Sequence, residues 1–331
     1  MTSKMLDRIK TLLGSDWTRT VDLIRSSLKS DIDLLDKTNT SILANGGKQM
    51  RPLIALLVAR ACSGKAPLPE DSIRFAAASE LLHNATLLHD DVADSSSVRR
   101  GVPTVMSLLG GPASVLIGDF WLVKAMENIL SSSEAGHKVI RIFAKTLSDL
   151  AEGEMLQLQK ASSGDTTEED YYRIIYSKTA SLFEASGVSA AISVGASEAM
   201  VEAVREYCID LGIAFQIKDD LLDYSGGDVI GKPVGVDLKE GKITLPLLGA
   251  LSSVGKEEES RLRNMVTGAG SRPENVLELR EFVFSHGGNE YASARLDEFV
   301  LKARAALDIL PDSMEKDYLS EIAGFTARRD K

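Results

Sequence analysis

Residues Leu87–Gly101 read LLHDDVADSSSVRRG: an apolar run, three aspartates within five positions, then two adjacent arginines. The spacing predicts the end of a helix, with Asp90 and Asp94 at i and i+4 on one face. Two bare carboxylates about 5 Å apart repel by roughly 3 kcal/mol at an effective dielectric near 20. Something positive is therefore expected beside them. The same DDxxD spacing returns in IKDDLLDYSGG, as Asp219, Asp220 and Asp223. Both clusters follow stretches that should be buried, LLHNATLL and GIAFQI. One such cluster could be a solvated helix end. Two matched clusters at the ends of buried helices point instead to hard divalent cations, which take oxygen ligands and bridge carboxylates to substrate phosphates.

Outward from these clusters, helical periodicity prevails. Val21, Ile24, Leu28, Ile32, Leu35 and Ile42 keep three-to-four spacing across 20–44. A further segment opens at Pro52 and stops at Gly64. Runs at 70–92, 112–131 and 135–161 follow, the last ending in the loop SSGDTTEED, and 198–224 ends at the Ser225–Gly227 turn. No hairpin signal appears. The pairs Gly46–Gly47, Gly110–Gly111 and Gly226–Gly227 read as inter-helix loops rather than domain linkers. The expectation is an all-α protein with a single domain over 1–331, against a length prior of about two. Roughly the first 20 residues, ahead of the strongest pattern, are expected to be peripheral.

Composition narrows the function. With 44% hydrophobic residues a large core is possible, and a net charge of -10 argues against a nucleic-acid footprint, which needs a basic stripe. The two cysteines, Cys62 and Cys208, are too few for a disulfide framework and read as core thiols. MTSKMLDRIKTLLGSDW has no signal-peptide pattern, and no apolar run reaches the 18 residues of a membrane span. A soluble, cytoplasmic protein is expected, with membrane contact at most transient.

The basic residues complete the chemistry. GGKQMRP sets Lys48 and Arg51 three apart at a helix start, where backbone N–H groups favour anions and glycines allow close approach. Arg99 and Arg100 follow the first cluster, and Lys178-Thr179, Lys232 and Lys242 lie in the second half. Carboxylates suited to magnesium, with bases suited to phosphate, point to a diphosphate substrate.

At these residues the chain resembles the trans-isoprenyl diphosphate synthases, which elongate prenyl chains head to tail. GGKQMRP, ELLHNATLLHDDVAD, RRG, GDFWL, AEGEMLQL, KTA, FQIKDDLLDY and GKPVGVDLKEGKITLPL occur in the family's order from about Leu34 onward. The resemblance implies a bundle of long helices around a deep central cavity, usually as a homodimer. It also implies two or three magnesium ions, or manganese, held by Asp90, Asp91, Asp94 and Asp219, with Asp220 and Asp223 supporting. Arg99, Lys178 and Lys232 match contacts to the allylic diphosphate (geranyl, farnesyl or geranylgeranyl), with Lys242 a further match. Isopentenyl diphosphate is implied at Lys48, Arg51, His83 and Arg100, and Thr179 and Gln216 match positions near the reacting carbons. His89 reads as an ordinary helix residue, and the C-terminal Arg-Arg-Asp-Lys as a solvent-exposed tail.

Product length follows from the helix that carries the first cluster. Ala85, five residues before Asp90, lies about 7.5 Å below it at the helical rise, where short-chain members of the family place an aromatic ring. With Asn84, Ala55 and Ser79 also small, a long-chain product of the quinone side-chain type is expected. Phe143 or Met155, on another helix, are the residues that would close the cavity earlier.

Overall fold

The computed structural model describes residues 3–132, 135–225 and 235–329. It is helical along most of its length, in agreement with the all-α expectation. The residues group into two compact units. The first comprises Met1–Ala144, Ala185–Arg205 and Ile309–Leu319; the second comprises Lys145–Glu184, Glu206–Asp308 and Ser320–Lys331.

The first unit begins with α1 (Ser3–Leu13), α2 (Ser15–Ser27), α3 (Asp33–Ala44), α4 (Met50–Ser63) and α5 (Glu70–Ala93). α4 and α5 are buried on nearly every face, from Leu53 to Ala59 and from Phe75 to Leu82. A helix apolar all round belongs in the interior, and these two pack on each other. The N-terminal residues are not peripheral as expected. Met5, Ile9 and Leu13 form the buried stripe of α1. Asp16, fully buried, accepts from Arg60 Nη2 at 2.6 Å and from the Leu68 amide at 3.0 Å. A buried ion pair broken on one side would be strongly destabilising, so α1 and α2 are fastened to the core. The 20–44 pattern is two helices, interrupted at Leu28–Ile32.

After α5 the chain makes a short hairpin, β1 (Val98–Arg99) against β2 (Val102–Pro103), then α6 (Val105–Leu109) and α7 (Gly111–Leu130). The hairpin was not expected. Its two strands are two residues long, too short for alternation to register, and its turn is Arg100-Gly101, both at positive φ. α7 lies along α5. Trp121 of the GDFWL stretch donates to Asn39 at 2.8 Å, and Asn39 donates to the Leu28 carbonyl at 2.8 Å, which ties α7 to α3.

The chain continues through α8 (Ala135–Ser163), α9 (Glu168–Ile175), a π-helical turn (Tyr176–Ala180), α10 (Ser181–Ser193) and α11 (Glu198–Ser225). The remaining helices are α12 (Val236–Lys239), α13 (Leu245–Leu251), α14 (Lys256–Thr267), α15 (Pro273–Ser285), α16 (Gly288–Ala306) and α17 (Met314–Arg328). α9 starts at a full capping box inside the loop read as SSGDTTEED: Thr167 Oγ1 accepts the Asp170 amide, and Asp170 accepts the Thr167 amide. In the second unit α13 packs on α15 and α16. No described helix is long and apolar enough to cross a membrane. Cys62 and Cys208 are free thiols, and burial pushes Cys62 up to about 11, which keeps it protonated.

Candidate active site

In the first unit the predicted basic residues meet. Gly47 lies so close to Arg100 that a Cβ there would stand 2.6 Å from the guanidinium, which explains the glycine of GGK. Burial draws Arg51 down to about 10, with Glu80 opposing and Arg100 adding to that effect. His83 is held well below its ordinary value, first by burial and then by Arg51, Arg100 and Arg99. The His83 ring is therefore neutral at pH 7, a hydrogen-bonding group among three guanidinium charges. Lys48 is exposed on the same loop as Gly47. Such a concentration of positive charge in a unit of an acidic protein suits a diphosphate.

The first aspartate motif sits at the end of α5. Asp91 is 4% exposed and accepts from Arg99 Nε at 2.7 Å. Where the sequence pointed to divalent cations as the compensating charge, Arg99, placed by the hairpin, pairs with Asp91. Asp90 is half-buried and Asp94, the C-cap, is exposed. His89 packs against Gly118 and lies 3.3 Å from Asp119 and from the Val115 carbonyl. That contact accounts for Gly118-Asp119 in GDFWL, and it agrees with the structural reading of His89.

In the second unit the three aspartates of α11 have three different surroundings. Asp219 has a 44% exposed side chain and accepts from Arg329 Nη2 at 2.7 Å. Asp220 is 3% exposed and accepts from Tyr171 Oη at 2.6 Å and from Gln216 Nε2 at 2.9 Å. Asp223 accepts the Val236 and Asp237 amides, each at 3.1 Å, and so holds the start of α12. Asp237, absent from the expected residues, crowds this group. Burial, then Asp223, pushes its carboxyl up to about 6. Burial and then Asp237 drive Asp220 well above the carboxylate range. The signal for Asp237 was the GKPVGVDLK stretch, in which no carboxylate was singled out.

Lys178 and Thr179 lie on the π-helical turn, a form concentrated at functional sites. Two glycines press the turn into place. A Cβ at Gly212 of α11 would meet Ala180 Cα at 2.5 Å, and one at Gly153 of α8 would meet Ser177 Cβ at 2.5 Å. Lys178 pairs with Glu154, and Thr179 Oγ1 donates to Gln216 Oε1 at 3.0 Å. Lys242 pairs with Glu240 at 2.5 Å beside Asp237. Lys232 falls outside the described residues.

One expectation is corrected. The C-terminal basic residues do not all trail in solvent. Arg329 is buried, with its guanidinium 3.9 Å from the centre of the Phe215 ring and 2.8 Å from the Phe215 carbonyl. Stacking on an aromatic face and pairing with a carboxylate together offset its desolvation. The Asn84 amide donates along α5 to the Glu80 carbonyl at 2.8 Å and to Glu80 Oε1 at 3.2 Å. Ala55, Ser79 and Ala85 are buried in the first unit, Phe143 is fully buried, and Met155 is exposed.

Among the described residues, no group of three His, Cys, Asp or Glu side chains already converges in a form that could hold a metal. The donor set nonetheless fits magnesium: all the candidate ligands are carboxylate oxygens, and the burial and then mutual repulsion that raise Asp220 and Asp237 are what a divalent cation relieves.

The polyprenyl synthetase family model matches residues 32–283. The chain belongs to this family. This polyprenyl synthetase is 38% identical to the octaprenyl diphosphate synthase of Escherichia coli K12, over 98% of its own length and 99% of the relative's. Its fold matches a decaprenyl diphosphate synthase from Rhodobacter capsulatus with a TM-score of 0.90 at 34% identity, covering 98% and 99% of the two chains. A polyprenyl synthase from Caulobacter crescentus, complexed with calcium and isoprenyl diphosphate, matches with a TM-score of 0.88 at 35% identity, covering 98% of each chain. Relatives described as short-chain isoprenyl and geranylgeranyl diphosphate synthases match this polyprenyl synthetase as well.

Proposed function

We propose that this polyprenyl synthetase condenses isopentenyl diphosphate with an allylic diphosphate to make a long-chain all-trans polyprenyl diphosphate. The observation that carries the reading is the cradle of Arg51, Arg99 and Arg100 around a neutral His83, on and beside the helix that ends in Asp90, Asp91 and Asp94. Lys48, Arg51, His83 and Arg100 bind the diphosphate of isopentenyl diphosphate. Arg99 and Lys178, with Lys232 and Lys242, take the allylic diphosphate. Asp90, Asp91, Asp94 and Asp219 would hold two or three magnesium ions, with Asp220 and Asp223 in support. When bound, magnesium neutralises the charge that builds on the departing diphosphate.

In the reaction the allylic C–O bond breaks and diphosphate leaves with the electron pair. The isopentenyl double bond forms the new C–C bond to the allylic carbon. A proton is then lost from C2 of the former isopentenyl unit and the double bond moves into the chain. The products are a diphosphate ester five carbons longer, inorganic diphosphate and a proton. The basic residues keep the leaving diphosphate in place, and apolar surroundings keep water from the cation.

The small residues Ala55, Ser79 and Ala85, without an aromatic ring among them, support the long-chain reading, and so do the octaprenyl and decaprenyl relatives. A single catalytic domain is supported by a family match that runs through both units. The homodimer is supported by Leu116, Val123 and Leu130, exposed at seven-residue intervals on one face of α7.

The test is turnover by the purified chain with farnesyl diphosphate, labelled isopentenyl diphosphate and magnesium, the products being dephosphorylated and sized. A ladder running well beyond geranylgeranyl length is expected. Arrest at farnesyl or geranylgeranyl length would make the chain a short-chain synthase. No metal-dependent incorporation from any allylic primer would make it a partner subunit of another prenyltransferase.

A further inference from the structure

Four side chains in the second unit form one hydrogen-bonded series, from the π-helical turn to the start of α9. Thr179 Oγ1 meets Gln216 Oε1 at 3.0 Å, Gln216 Nε2 meets Asp220 Oδ1 at 2.9 Å, and Tyr171 Oη meets Asp220 Oδ2 at 2.6 Å. Tyr171 and Asp220 are each 3% exposed, so the series ends in the interior. A glutamine amide has a donor end and an acceptor end of nearly the same shape, and only its partners decide which way round it sits. Asp220 Oδ1 takes the NH2 end of Gln216, which leaves the carbonyl oxygen turned toward Thr179. Tyr171 holds the Asp220 carboxyl group at its other oxygen. Asp220, with both oxygens engaged and its side chain buried, differs in this from Asp219, which is half-buried at the preceding position of the same helix.

We propose that Tyr171 is a positioning residue for the condensation. Acting through Asp220, it fixes the Gln216 amide with its carbonyl oxygen beside Thr179. The role rests on the functional reading above, which places Thr179 and Gln216 near the reacting carbons. There a fixed carbonyl dipole stabilises the developing allylic cation without reorganising as the charge appears. An amide free to flip would present its NH2 end half the time, and the donor end repels a cation. The local sequence supports the arrangement. The capping box at Thr167 and Asp170 sets the first turn of α9 and hence Tyr171, while Gly212 and Gly153 hold the turn that carries Thr179.

The experiment measures kcat, both KM values, the magnesium activation constant and the melting temperature of Tyr171→Phe, Asp220→Asn and Gln216→Leu, together with the double variant Tyr171→Phe/Gln216→Leu. Removing a group that orients a reacting group in this way lowers activity by about 10–100-fold in comparable sites. Tyr171→Phe should lose about tenfold in kcat, with both KM values within about twofold and the fold intact. Once Gln216 is leucine, adding Tyr171→Phe should cost almost nothing further, because the two residues act as one unit. Asp220→Asn should lower kcat at least as far as Tyr171→Phe and also raise the magnesium activation constant, because Asp220 supports the metal site as well. The inference is overturned by wild-type kcat in Tyr171→Phe or by an undiminished Tyr171→Phe effect in the Gln216→Leu background. An unmutated chain that fails to condense the substrates would overturn the functional reading itself. Normal turnover of the unmutated chain beside an unaffected Tyr171→Phe would sink only this inference.

Discussion

The two DDxxD motifs share a spacing and differ in their neighbours. In each, the middle aspartate points inward, Asp91 at 4% and Asp220 at 3% exposure. Asp91 meets a cation, Arg99, eight residues along the chain. Asp220 meets two neutral donors, Tyr171 and Gln216, and faces the negative charge of Asp237 and Asp219. One motif is therefore compensated within its own hairpin, and the other depends on chain brought in from α9. Equal aspartate spacing on helices gives similar geometry, but the surroundings decide which carboxylates can bind a metal.

The largest expected effect concerns the first aspartate of the second motif. Asp219→Ala should lower kcat/KM by about a thousandfold, roughly 4 kcal/mol of transition-state stabilisation, as loss of a metal-holding carboxylate would. An effect as small as that of Asp223→Ala, whose carboxylate holds α12, would erase the distinction between them. Steady-state kinetics at saturating magnesium reads both.

Next is the tail. Arg329 occupies Asp219 Oδ1, so it competes with a metal for that carboxylate. Arg329→Ala should lower the magnesium concentration needed for half-maximal binding by about fivefold, on the order of 1 kcal/mol for a partly exposed pair. Isothermal titration calorimetry without substrate checks it, and unchanged binding would show that the Phe215 stack alone seats the arginine.

The smallest effect tests crowding without a proposed ligand. Asp210, also on α11, lines a surface groove of about 490 Å³ with Glu206 and Lys302. Burial pushes its carboxyl up to about 6; Lys302 opposes the shift, and Glu206 and Glu298 reinforce it. Because the folded value is raised, its stability contribution is present below pH 4 and is lost as pH rises through 6. Asp210→Asn should thus melt about 1–2 °C higher at pH 7.5 and no higher at pH 4, a small gain because the group is half-exposed. A gain that persists at pH 4 would point to something other than charge.

Much of this protein was legible in the order of its residues. Periodicity marked α5, α7, α8 and α11 to within a few residues, because a 3.6-residue repeat is a local property. The aspartate motifs, GGKQMRP and the Lys178-Thr179 pair named most of the candidate site, because their chemistry lies in residue type and short spacing. What the sequence did not disclose depends on distant contacts. The hairpin at Arg100-Gly101 was too short to pattern, and α1 is fastened to the core by Arg60 reaching back to Asp16. The partners of Asp219 and Asp220, Arg329 and Tyr171, lie far along the chain. Local spacing decides which side chains share a helix face. Only packing decides which of them are desolvated, and against whose charge, and that sets which carboxylate is free for chemistry.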